Sequence, residues 1–145
     1  MEAGDLVPFT NISTAADYPL TAADKDMYIV VTVTRADNSG SVTSSATGPV
    51  TLPALSGPVT IGGTHDAGAT LTANTGSLNG SGAFIYQWWV GYYGSTTPTD
   101  LIPGATALMY TVEPAYYGEN IFVTVTRANN SGSVTSSHHV IFDPI

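Results

Sequence analysis

The 145 residues predict an all-β fold, an antiparallel β-sandwich present once in full and once as its later half. Three observations carry this. Apolar and hydroxyl residues alternate at a period of two in several short runs, as a half-buried strand requires. Gly, Pro, Ser and Thr interrupt those runs about every 8 to 12 residues, the turn spacing of a sandwich. A 15-residue segment also occurs twice: VTVTRADNSGSVTSS at 31–45 and VTVTRANNSGSVTSS at 123–137, 92 residues apart and different only at Asp37 versus Asn129.

The repeat sets the domain organisation. Its offset also pairs Tyr18 with Tyr110, Ala23 with Ala115 and Ile29 with Ile121. Further upstream, a skip of about three residues aligns Leu6-Val7-Pro8 with Leu101-Ile102-Pro103. A unit is therefore about 90 residues, the size of a small sandwich. Residues 51–145 are read as a complete unit and residues 1–50 as a partial one with late strands only, because the stretch from roughly Pro58 to Gly94 has no counterpart among them.

Strands are expected in the complete unit at about 58–61, 69–74, 84–90, 100–102, 109–112, 120–127 and 133–141. Ala69-Thr70-Leu71-Thr72-Ala73 alternates apolar and polar, and Phe84 to Val90 is aromatic and β-branched. Gly62-Gly63 and Asn79-Gly80-Ser81-Gly82 punctuate them. Val123 and Val125 alternate with Thr124 and Thr126, as Val31 and Val33 do with Thr32 and Thr34. Each run turns back at an Asn-Ser-Gly, where Asn tolerates and Gly favours positive φ, so each copy is expected to form a hairpin. Helix formers are scarce, and no helix longer than a turn is expected.

Composition narrows the function. One domain's length excludes a multidomain enzyme. With 43% hydrophobic residues and a mean hydropathy of +0.14 the chain can fold. The net charge of −8, with Lys25, Arg35 and Arg127 the only cations besides histidine, excludes nucleic acid as a main partner. The absence of cysteine removes disulfides, thiolate metal sites and cysteine nucleophiles. The longest apolar runs, Met27–Val31 and Phe84–Val90, the latter interrupted by Gln87, fall well short of the roughly 20 residues of a membrane helix, so no membrane insertion is expected. The acidic start, Met1 to Asp5, has no apolar stretch after it and is neither a signal nor a transit peptide; any leader is expected to have been removed.

Gly68-Ala69-Thr70-Leu71-Thr72-Ala73, Tyr86-Gln87-Trp88, Ile102-Pro103-Gly104-Ala105-Thr106, Tyr110-Thr111-Val112 and Ile121 to Thr126 together resemble the bacterial immunoglobulin-like repeats strung along large surface and adhesin-type proteins. The resemblance covers most of 51–145 and the later half of the unit in 1–50. It implies an immunoglobulin-like Greek-key β-sandwich, a location outside the cell or on its surface, and a role as spacer or adhesive stalk. Partners would be other copies of the chain or neighbouring repeats of the same precursor. Asp26 departs from the pattern, standing where the other copy has Gly118, and so does Trp89, where a polar residue is commoner.

Candidate site residues follow from strand alternation. Trp88 is expected in the core with Leu71, Val90, Val123, Val125 and Val134. Trp89, Ile85 and Gln87 then face outward, with Phe122 on the same face from the neighbouring strand. Ile85, Trp89 and Phe122 are expected to form an apolar strip. Loop residues such as Tyr92 or Tyr93 would cover it, a protein partner would meet it, or its rings would stack on a glycan. A second interface is expected at Ile29, Val31, Val33 and Val42, whose inward pattern has no early strands to bury it. Arg35 and Arg127 are expected to cap the core end or stack on an aromatic ring.

Adjacent on a strand, His138 and His139 point to opposite faces and are not expected to share a metal. Asp24 and Asp26 lack acidic equivalents in the second copy, which argues against a calcium loop. No serine sits in a nucleophile elbow, and Lys25 has no counterpart with which a crosslink could recur. No catalytic residue, cofactor or metal is assigned. The expected function is a non-catalytic structural or adhesive module, in one form a filament subunit assembling by strand exchange, with a carbohydrate-binding sandwich as the alternative.

Overall fold

The computed structural model describes residues 10–144, and the chain divides into two compact units, Met1–Thr51 and Leu52–Ile145. Among the described residues all sheets are antiparallel: two strands form one sheet in the first unit, and the second unit has a three-stranded and a five-stranded sheet.

In the first unit, β1 (Thr32–Thr34) pairs with β2 (Ser41–Thr43), preceded by a single 3-10 turn at Ala22–Asp24. In the second, β3 (Thr60–Gly62), β4 (Thr70–Asn74) and β7 (Met109–Thr111) form one sheet in the order β3-β4-β7. The other runs β10-β8-β5-β6, from His139–Val140, Asn120–Arg127, Phe84–Gly91 and Asp100–Leu101, with β9 (Val134–Thr135) also on β8. The run expected at 133–141 is thus two short strands. A 3-10 turn at Pro114–Tyr116 precedes β8.

The two sheets share one core. Leu71 and Ala73 of β4 and Tyr110 of β7 cluster with Trp88 of β5 and Ile121, Val123 and Val125 of β8. Trp88 is fully buried, its ring centroid 5.7 Å from that of Tyr110, and its indole N–H donates to the Ala107 carbonyl at 2.8 Å. Val90 and Val134 pack against this cluster from partly buried positions. The longest pairing, β5 with β8, sets Tyr86 opposite Val125, Trp88 opposite Val123 and Trp89 opposite Phe122.

Candidate functional site

The repeated hairpins share their central pairing and its side-chain bonds, and β1–β2 adds the pair Thr34–Ser41, which β8–β9 lacks. Val33 pairs with Val42 as Val125 pairs with Val134. The hydroxyls of Thr32 and Thr43 lie 2.7 Å apart, and those of Thr124 and Thr135 lie 2.8 Å apart. The Val31 amide donates to Ser44 Oγ at 3.1 Å, and the Val123 amide to Ser136 Oγ at 3.0 Å. Asp26 takes a φ of +66° where Gly118 takes +84°, so the departure noted in the sequence is a left-handed position held by a non-glycine residue.

Their surroundings differ completely. Val123 and Val125 are fully buried, whereas Val31, Val33 and Val42 are 57%, 60% and 76% exposed. Ile29 is half-buried and bridges to Thr47, as Ile121 pairs with His139. Asn130 is buried, its carbonyl oxygen accepting from the Ser81 amide and its amide donating to the Pro53 carbonyl; the equivalent Asn38 is exposed. Arg127 lies 4.4 Å over the Phe84 ring and donates to the Gly82 and Asn79 carbonyls, as expected of it. Its counterpart Arg35 is exposed at the end of β1. The first unit therefore presents a closed hairpin with an open apolar face.

The strip expected at Ile85, Trp89 and Phe122 needs a correction. Phe122 alternates with the core residues Ile121 and Val123 and so faces outward opposite Trp89, yet it is fully buried rather than part of an exposed strip. Tyr92 and Tyr93 do not provide the cover, being 65% and 79% exposed. The segment after β5 turns back instead, with the Asn120 side chain donating to the Tyr92 and Ser95 carbonyls. A methyl group placed on Gly91 would come within 2.8 Å of both the Phe122 ring and the Thr97 carbonyl oxygen, and the His138 ring meets Phe122 edge-on. Trp89 is half-buried, its indole nitrogen enclosed without a hydrogen-bond partner, and Ile85 and Leu101 remain exposed. The outward face keeps an apolar patch, smaller than the sequence suggested.

Asp24 and His139 are among the titratable groups held away from their ordinary behaviour. In the first unit Asp24 is buried, accepting from the Thr21 amide at 2.7 Å and from the Tyr18 and Thr21 hydroxyls; the Thr21 amide foremost holds its carboxyl below the usual range, against the opposing effect of burial. In the second, His139 is buried and stacked on His65, centroids 4.2 Å apart, with its Nε2 3.1 Å from the Thr64 carbonyl oxygen. Burial foremost pushes its imidazole below the usual value; the Thr64 carbonyl opposes this and neighbouring His65 adds to it. His138 is exposed, so the adjacent histidines do point apart. His65 went unnoticed in the sequence because only the fold brings it beside His139. Among the described residues no group of three or more His, Cys, Asp or Glu side chains could hold a metal ion, and no helix is long and apolar enough to cross a membrane.

Comparison with protein-family models, with curated proteins and with solved structures finds no match. The reading of this chain therefore rests on its internal repeat and its geometry.

Proposed function

We propose that the chain is a non-catalytic structural or adhesive module of the immunoglobulin-like Greek-key type, working outside the cell or on its surface, whose first unit docks other repeat material by strand addition. The observation that carries this is one hairpin in two environments, buried in the second unit and bare in the first. The strand orders β3-β4-β7 and β10-β8-β5-β6 support the fold reading, since immunoglobulin-like sandwiches likewise set the first two strands with a later one on one sheet and the third strand with the last two on the other. A two-stranded sheet with a free edge and an apolar face is a template for pairing.

Association is expected to rise with concentration and to involve the bare hairpin. Light scattering should show the native chain gaining mass while a Val33→Glu, Val42→Glu variant stays monomeric. A native chain that remains monomeric throughout would count against self-assembly. The exposed Tyr92 and Tyr93, near the Trp89 patch in sequence, favour carbohydrate binding as a second reading. Quenching of tryptophan fluorescence by a glycan, lost in Tyr92→Ala and Tyr93→Ala, would support it.

A further inference from the structure

Between residues 10–16 and residues 30–34, which include β1, the first unit holds an open groove of about 810 Å³. The walls of this groove have counterparts in the second unit. Residues 30–34 correspond to 122–126 of β8 at the 92-residue offset, and residues 10–16 fall within the stretch corresponding to the segment after β6. In the second unit β5 lies between those two walls. It pairs along β8 on one side; on the other, the Trp88 amide donates to the Ala105 carbonyl at 2.9 Å and the Ile102 amide to the Trp88 carbonyl at 3.1 Å. Among the described residues, the groove therefore lies where the second unit has β5.

Building on the docking role proposed above, we infer that the groove receives a strand of β5 type from a polypeptide carrying the early half of the same repeat, antiparallel to β1 and in the register that β5 adopts on β8. Its inward Trp and Tyr, corresponding to Trp88 and Tyr86, would face Val31 and Val33, which are bare. Its Phe, corresponding to Phe84, would stand opposite Arg35 as Phe84 stands opposite Arg127.

The test uses the full chain and a synthetic peptide with the sequence of residues 82–94, flanked by lysines for solubility. Hydrogen exchange at the amides of β1 should slow at least about tenfold on adding the peptide, against no change with a scrambled peptide. Self-associated chain should fall back to monomer mass as the peptide occupies the edge. Because the chain has no cysteine, register can be read directly. Thr34→Cys in the chain should form a disulfide with a peptide carrying Ile85→Cys, since Ile85 pairs with Thr126, and not with one carrying Gln87→Cys. Protection confined to β8, or equal crosslinking in both registers, would overturn the inference. Association of the chain without peptide protection would overturn the occupant and leave the assembly reading standing; a monomeric chain that ignores the peptide would sink both.

Discussion

Val31 and Val123 open the same 15-residue hairpin, with the same neighbours and the same bond to a serine hydroxyl, yet one is more than half exposed and the other wholly buried. The difference teaches that this hairpin is closed by its own sequence and buried by someone else's. Alternating Val and Thr, cross-strand threonine hydroxyl pairs and an Asn-Ser-Gly turn are local, and both copies have them. The apolar face is a separate matter: β8 buries it because β5 lies beside it and β4 and β7 lie across the core. An isolated two-stranded hairpin is marginal in water, so the first unit should be the less protected.

The largest expected break in this comparison comes from the core tryptophan. Trp88→Ala should cost the second unit about 3–5 kcal/mol in denaturant unfolding, as large-to-small core changes do, and leave amide exchange in β1 and β2 unchanged. Equal loosening of both hairpins would show that their stabilities are linked.

Gly91→Ala should cost about 1–3 kcal/mol through overpacking, because the new methyl meets the Phe122 ring and the Thr97 carbonyl. A neutral result would mean that the segment covering Phe122 yields easily.

A matched pair sharpens the contrast. Val125→Ala should cost about 2 kcal/mol of buried apolar contact, whereas Val33→Ala, at the equivalent exposed position, should stay within about 0.5 kcal/mol. Bound to the peptide of residues 82–94, the Val33→Ala chain should show the cost that the free chain lacks.

Acid should separate the units. His139 is held below its ordinary 6.5, so below that pH the unfolded chain binds more protons than the folded one and the second unit loses stability as pH falls. Asp24 is held below its ordinary 3.8, so the stability it gives the first unit is present above that value and is lost only as pH falls through its lowered one. Thermal unfolding of the second unit between pH 7 and 4 should flatten in His139→Gln. An unchanged slope would assign the acid sensitivity to other groups.

A small effect is also expected at the left-handed position. Asp26→Gly should stabilise the first unit by up to about 1 kcal/mol, and Gly118→Asp should destabilise the second by a similar amount. Amide exchange at Met27 and Glu119, one residue beyond each position, would read both changes.

Much of this architecture was legible before any coordinates. The alternation around Val123 placed β8, the aromatic run placed β5, and the turn residues placed the breaks, because strand pairing and turns depend on residues close together in the chain. Facing was legible too: once Trp88 pointed inward, Trp89 and Phe122 had to point outward. Their exposure was not, because what lies over an outward residue depends on segments distant in sequence, here the turn-back after Gly91 and the His138 ring. The His65–His139 stack, 74 positions apart, lay beyond sequence reading for the same reason.

By itself, then, the sequence determined the all-β class and the repeated hairpin, since period, turn chemistry and repetition are properties of the chain read in order. Only the tertiary structure decided that Phe122 is covered, that His139 is buried against His65, and that the first unit holds an open groove where the second holds β5. Burial is a relation between segments far apart in the chain, and two hairpins that differ at one residue in fifteen differ in it because, among the described residues, β5 lies beside the second and no strand takes that place beside the first.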